Sequence, residues 1–311
     1  LYREQERICR ELGLRADLQR SLGNQANILY QQGDLEGAMK LHKEEEYICR
    51  ELGLRADLQS SLGNQANVLS QQGSLKGAME RYKEQERICR ELSLRVDLQR
   101  SLGNQGIILK EQGDPEGAME LHKEEERICR ELGLPDGLQS SLGNQGIILK
   151  QWGDLEGAME LHKEEERLCR ELGLRDGLQR SLGNQAGVLH QQGDLEGAME
   201  LHKEEERLCR ELGLRADLSA SLGNQGLILR QQGDLEGAME LYKEQERLCR
   251  ELGLRADLQR SLGNQANVLR QQGDLEGAME LYKERECLCR ELGLRASLQS
   301  SLGSQGVILQ A

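Results

Sequence analysis

The forty residues LRADLQRSLGNQANILYQQGDLEGAMKLHKEEEYICRELG, from Leu14 to Gly53, decide the fold, because the chain writes them again and again. Leu18, Leu22, Ala26 and Leu29 fall at spacings of four, four and three, which is one face of an α-helix. Gly33 then reads as the left-handed cap that ends this helix, and Asp34 as the N-cap of a second. Glu36 sits where a helix N-terminus favours negative charge. The second helix carries Leu35, Ala38, Met39, His42, Ile48, Cys49 and Leu52 on its apolar side and stops at Gly53. In a later copy Pro115 replaces Leu35 directly after Asp114, and the first helical turn is where proline is tolerated. The spacing therefore predicts a helical hairpin of two helices, each about 17 residues or roughly 25 Å long.

Ser-Leu-Gly-Asn-Gln recurs from Ser21, Ser61, Ser101, Ser141, Ser181, Ser221 and Ser261, and as Ser-Leu-Gly-Ser-Gln from Ser301. Cys-Arg-Glu-Leu recurs from Cys9, Cys49, Cys89, Cys129, Cys169, Cys209, Cys249 and Cys289. The period is 40 residues, without insertion or deletion. Full units span 14–53, 54–93, 94–133, 134–173, 174–213, 214–253 and 254–293, with partial ones at 1–13 and 294–311. A register without drift implies that each unit meets its neighbour in one geometry, so residues 1–311 read as a single array. Composition agrees. Of 311 residues none is Phe, one is Trp and six are Tyr, too little aromatic volume for one large globular core. Small residues at Gly23, Ala26, Gly37 and Ala38 point to close helix crossings. The net charge of −13 disfavours nucleic acid or an anionic membrane as a partner, and no run approaches the roughly 20 apolar residues of a membrane span.

These residues resemble tetratricopeptide repeats. The family has a small residue in its first helix, Gly-Asp at the turn and Ala early in its second helix; Ala26, Gly33-Asp34 and Ala38 match, as do Gly146, Gly153-Asp154 and Ala158. The 40-residue period resembles the long-helix subgroup that includes kinesin light chains and the Leu-Gly-Asn-rich modulators of G-protein signalling. The resemblance implies an all-α, right-handed superhelical solenoid of antiparallel helical hairpins. One departure is a polar belt across the second helix. Glu45, Gln85, Glu125, Glu165, Glu205, Gln245 and Arg285 stand where the family has alanine, next to a column of His42, Tyr82, His122, His162, His202, Tyr242 and Tyr282. Looser packing is expected there.

Signals for chemistry are weak. Eight of nine cysteines occupy one column 40 residues apart, too far for neighbours about 10 Å apart to bridge, and read as small core residues in a reducing compartment. That favours a cytoplasmic protein. His42 and Glu46, His122 and Glu126, His162 and Glu166, and His202 and Glu206 are each four apart and could give half of a zinc site. The same column accepts Tyr82, Tyr242 and Tyr282, which favours packing with a hydrogen bond. The run Lys43-Glu44-Glu45-Glu46 reads as solvated helix with support such as Glu46 to Arg50. No residue grouping breaks the repeat as a catalytic centre would, and no enzyme activity, metal or cofactor is expected.

The resemblance places the first helices on the concave surface, where extended peptides commonly lie. Groove candidates are Arg20, Gly23, Asn24, Asn27, Tyr30 and Gln31 with their equivalents. Asn24, Asn64, Asn104, Asn144, Asn184, Asn224 and Asn264 resemble the asparagine column of O-GlcNAc transferase repeats, whose amides suit a peptide backbone; a local structural role stays open. One varying column reads Arg20, Ser60, Arg100, Ser140, Arg180, Ala220, Arg260 and Ser300. Another reads Tyr30, Ser70, Lys110, Lys150, His190, Arg230, Arg270 and Gln310. Their positive charge points to an acidic peptide or protein segment. Leu1 aligns with Leu41 inside a second helix, and Gly306 to Ala311 finish a first helix with Val307, Ile308 and Leu309 in the buried register. These ends suggest an excerpt of a longer array or copies stacking end to end into a filament. Three functions are expected: a non-catalytic interaction scaffold, a structural array, or the sensor arm of a larger signalling protein.

Overall fold

In the computed structural model, which describes residues 2–310, sixteen α-helices follow one another and no strand occurs among the described residues. They are α1 (Tyr2–Leu12), α2 (Arg15–Gln31), α3 (Leu35–Leu52), α4 (Arg55–Gln71), α5 (Leu75–Glu91), α6 (Arg95–Glu111), α7 (Pro115–Leu132) and α8 (Pro135–Trp152). There follow α9 (Leu155–Leu172), α10 (Arg175–Gln192), α11 (Leu195–Leu212), α12 (Arg215–Gln232), α13 (Leu235–Leu252), α14 (Arg255–Gln272), α15 (Leu275–Glu291) and α16 (Arg295–Leu309). The chain divides into two compact units, Leu1–Ile148 and Leu149–Ala311. Leu1 and Ala311, with which the expected end-to-end contact begins and finishes, lie outside the described residues. From α1 to α7 in the first unit, and from α9 to α16 in the second, helices consecutive in sequence pack against each other as antiparallel hairpins. Among the described residues no helix is long and apolar enough to cross a membrane.

The turns follow the expected chemistry. Gly53 adopts φ 67°, and the Leu54 amide donates to the Cys49 carbonyl at 2.9 Å, closing α3. At the other end Asp34 Oδ1 accepts from the Gly37 amide at 2.9 Å and caps α3. Pro115 occupies the first turn of α7.

The core is a series of small clusters, each straddling two hairpins. Cys49 of α3 packs with Leu58 and Leu62 of α4 and Ile88 of α5. The same four positions give Cys9, Leu18, Leu22 and Ile48, and later Cys209, Leu218, Leu222 and Leu248. Leu62 and its equivalents Leu102, Leu182, Leu222 and Leu262 are fully buried, and removing such a side chain typically costs 2–5 kcal/mol. Because the cysteine of each such cluster comes from the preceding hairpin and the other three residues from the next, no hairpin completes this core alone. One expected apolar residue is displaced: Leu52 is 41 % exposed, since the helix ends there and its side chain has no second layer to meet.

The polar belt is tightly packed, contrary to the expected looseness. The His42 Nδ1 meets Glu45 Oε2 at 2.9 Å, and Gln19 Nε2 donates to Glu45 Oε1 at 3.1 Å. His122 pairs with Glu125 at 2.9 Å, His162 with Glu165 at 3.1 Å and His202 with Glu205 at 2.7 Å. The imidazole thus pairs with the glutamate three residues on, not four. The i+3 residue shares the buried side with the histidine, whereas Glu46 turns outward to Arg50 and to Gln65 of the next hairpin. Glu45 is therefore buried, and the run Lys43–Glu46 is not wholly solvated. Burial pushes the Glu125 carboxyl up, and its bond to His122 opposes the rise.

The repeated Ser-Leu-Gly-Asn-Gln motif now has a physical reading. Ser61 Oγ donates to the His42 carbonyl at 3.1 Å, and Gln65 Nε2 donates to Glu46 Oε2 at 2.8 Å, so both ends of the motif tie α4 back to α3. Leu62 fills the core, and Gly63 leaves room for the Gln85 amide of α5. Outside, Arg50 reaches Glu84 of the following second helix at 2.8 Å. Such exposed pairs are worth little individually.

Candidate interaction face on the first helices

The first helices of successive hairpins are α2, α4 and α6 in the first unit and α10, α12 and α14 in the second. Successive first helices touch, α2 with α4 and α12 with α14, so equivalent side chains line up across them. In the first unit this face holds a recess of about 230 Å³ lined by Tyr30 of α2, Asn67, Ser70 and Gln71 of α4, Asn104, Ile107 and Ile108 of α6, and Tyr82 of α5. Three consecutive hairpins contribute to it. Its lining combines amides, hydroxyls and two tyrosine rings with Ile107 and Ile108, so polar groups that can orient a ligand stand beside apolar surface.

The asparagine column stays at the surface. Asn24 and Asn224 are exposed, while Asn64, Asn104, Asn144, Asn184 and Asn264 are half-buried. Asn104 lies within hydrogen-bond reach of the Tyr82 hydroxyl. The Tyr82 hydroxyl also donates to Asn67 Oδ1, and Tyr282 donates to Asn267 Oδ1 at 2.7 Å. A second asparagine column, at Asn67 and Asn267, thus has a local partner wherever tyrosine stands behind it. Tyr242 has no such partner: Leu227 stands at the corresponding sequence position, and among the described residues the buried hydroxyl makes no hydrogen bond. Burial pushes Tyr242 up to about 12, with Arg230 acting in the opposite direction.

Gly23, expected to line the groove, is instead buried, and a Cβ there would run into the Glu45 carboxylate. The close crossing that this glycine serves is between a helix and a buried side chain. The Arg20, Arg100, Arg180 and Arg260 side chains are exposed. Arg20 lies 3.6 Å from Asp17 and Arg100 3.6 Å from Asp97 on their own helices, and Arg260 pairs with Asp257. In the other column Lys110, Lys150, His190 and Arg230 are half-buried and Arg270 is exposed. Burial lowers the Lys150 pKa. All nine cysteines are unpaired; only Cys287 is exposed, and burial pushes Cys49 up to about 12. Among the described residues no three His, Cys, Asp or Glu side chains gather as a metal set.

Sequence reasoning missed the Ser21 and Gln25 columns, whose bonds run between hairpins and leave no trace in the periodicity of one helix. It also missed the orphaned Tyr242 hydroxyl, which the pairing of Tyr82 with Asn67, lost at Tyr242 and Leu227, could have signalled.

Comparison with known proteins agrees with the architecture. Tetratricopeptide-repeat family models match residues 221–256 and 259–284, so the resemblance carried by the repeated residues is shown on those stretches. No curated protein sequence matches the chain. Among solved structures, a signal transduction ATPase with numerous domains and a tetratricopeptide repeat sensor, from Pyrococcus horikoshii, aligns with TM-score 0.74 and 17 % identity. That alignment covers 96 % of this chain and 46 % of the ATPase. A Rap protein in complex with competence and sporulation factor aligns with TM-score 0.66 and 16 % identity, over 89 % of this chain and 76 % of the Rap chain. The nearly identical TPR-like repeats of a candidate kinesin light chain from Podospora anserina align with TM-score 0.52 and 16 % identity, over 62 % of this chain and 95 % of that one. At these identities the likeness is one of fold.

Proposed function

We propose that this chain is a non-catalytic protein-interaction scaffold that holds an extended polypeptide segment against the face formed by successive first helices. The recess lined by Tyr30, Asn67 and Asn104 carries this reading, because it crosses three consecutive hairpins and so suits a ligand longer than any one of them. Asn64, Asn144, Asn184 and Asn264 support it: each is half-buried, and its side-chain amide makes no hydrogen bond among the described residues. Each amide therefore keeps a donor and an acceptor for a peptide unit. The Rap protein complexed with competence and sporulation factor is a fold neighbour whose partner is consistent with this use.

The forty-residue units proposed from sequence are the natural modules of such a scaffold, one peptide contact per module. A second reading, the sensor arm of a larger signalling protein, is favoured by the fold neighbour that carries a tetratricopeptide repeat sensor. The unpaired cysteine column suits a reducing compartment, so a cytoplasmic setting is proposed.

The test is a display selection of random peptides on the full chain, followed by Asn64→Ala with Asn264→Ala. Selected peptides are expected to lose about tenfold in affinity, the size of one or two lost hydrogen bonds, while the thermal midpoint stays in place. Peptides that bind undiminished to the double variant would contradict the assignment of this face.

A further inference from the structure

Of the two basic columns on the first-helix face, only one keeps its charge for a partner. Arg20, Arg100 and Arg260 turn back to Asp17, Asp97 and Asp257 on their own helices. In the second unit the other column presents Lys150, His190, Arg230 and Arg270 from α8, α10, α12 and α14. Lys150, Arg230 and Arg270 make no ion pair among the described residues. The equivalent positions of the first unit are Tyr30, Ser70 and Lys110, so the positive charge is concentrated in the second unit.

The column is also held in place. His190 Nε2 lies 2.8 Å from Gln231 Oε1, a bond that joins α10 to α12. Gly187 stands where other first helices carry Asn67, Ile107 or Leu227, and the Lys150 ammonium lies 3.0 Å from where a Cβ on Gly187 would be. The glycine thus lets Lys150 lie against α10, partly out of water.

The chain as a whole carries −13, so its general field repels anions, and an anion can be captured only by local, partly desolvated cations. Neighbouring packed helices lie about 8–10 Å apart. A polyproline-II segment advances about 9 Å in three residues and returns to the same edge. Carboxylates at every third residue of such a segment therefore meet one rung each.

We propose that the second unit carries an anion-selective strip of Lys150, His190, Arg230 and Arg270 that takes an extended acidic segment of a partner protein, with glutamate or aspartate at every third residue. This rests on the scaffold reading above and adds the partner's chemistry and its place.

The experiment uses the full chain and fluorescein-labelled (Pro-Pro-Glu)4, (Pro-Pro-Gln)4 and (Pro-Pro-Lys)4, with anisotropy at low salt. The glutamate peptide is expected to bind at least tenfold more tightly than the glutamine peptide, as charge-assisted bonds exceed neutral ones. Arg230→Glu with Arg270→Glu should weaken it at least tenfold, while Lys110→Glu in the first unit changes it less than twofold. The double variant should also gain affinity for the lysine peptide, a result that an unfolded protein would not give. Equal binding of the glutamate and glutamine peptides, no binding of the glutamate peptide, or an equal effect of Lys110→Glu would overturn the strip. If the glutamine peptide binds as well as the glutamate one and responds to Asn64→Ala with Asn264→Ala, the scaffold stands and the strip alone fails.

Discussion

Replacing tyrosine by phenylalanine in one column of the second helices should change stability in opposite directions at two positions. The Tyr282 hydroxyl donates to Asn267 Oδ1 at 2.7 Å, so Tyr282→Phe removes a made hydrogen bond worth about 1 kcal/mol net. Tyr242 is equally buried, but Leu227 stands at the position equivalent to Asn267, and the Tyr242 hydroxyl has no partner among the described residues. A buried polar group left unsatisfied costs about 1–3 kcal/mol, and Tyr242→Phe removes that cost while keeping the ring over Gly226. The two variants should therefore differ by about 2–4 kcal/mol, with Tyr242→Phe the more stable. Repeat arrays unfold unit by unit, so a single global free energy is a poor readout. Native-state hydrogen exchange resolves the units: protection in α12 and α13 should rise in Tyr242→Phe, and protection in α14 and α15 should fall in Tyr282→Phe. A loss of protection in both variants would refute the reasoning.

Further outcomes follow from the same geometry. Ser93 holds φ 58° where the other units place glycine, so Ser93→Gly should stabilise by about 1 kcal/mol, read as a rise in the denaturation midpoint. Gly103→Ala puts a Cβ within 2.8 Å of the Glu125 carboxyl carbon and should lower the midpoint, whereas Gly303→Ala meets nothing within 4 Å and should raise it by up to about 1 kcal/mol of helix propensity. The Arg90 guanidinium holds the Glu124 carboxyl below its ordinary value, so that pair's contribution is complete above about pH 4.5 and is lost as pH falls through the lowered pKa. Burial raises Glu125, whose contribution has the opposite sign and is lost as pH rises through its folded value. In acid titrations of the midpoint, Arg90→Ala should flatten the fall by at most about 0.5 kcal/mol, since both side chains are partly screened by water. Native protein should expose one fast-reacting thiol to a disulfide reagent, Cys287, and the eight column cysteines only on unfolding.

The hairpins were legible because their signals are local. Gly33, Asp34 and Gly53 set the turns through their own backbone and side-chain chemistry, and Leu18, Leu22 and Ala26 mark a buried face by spacing alone. The belt was misjudged because burial of Glu45 depends on two partners from different helices, His42 and Gln19, which no periodicity reveals. The candidate face was legible as columns of residue types. Its electrostatics were not, because Arg20 and Lys150 look alike in sequence; only their surroundings show that one has Asp17 beside it and the other lies against a glycine.

The central claim is that each forty-residue hairpin rests on its neighbours and on nothing else. Its most direct test is the deletion of residues 174–213, which joins Gly173 to Leu214 and recreates the Cys-Arg-Glu-Leu-Gly-Leu-Arg-Ala-Asp-Leu passage found from Cys209 to Leu218. Serial packing predicts that the shortened chain keeps the same helical circular dichroism per residue and a cooperative thermal transition. Loss of that helicity on removing one whole module would show that the modules share a common core, and would contradict it.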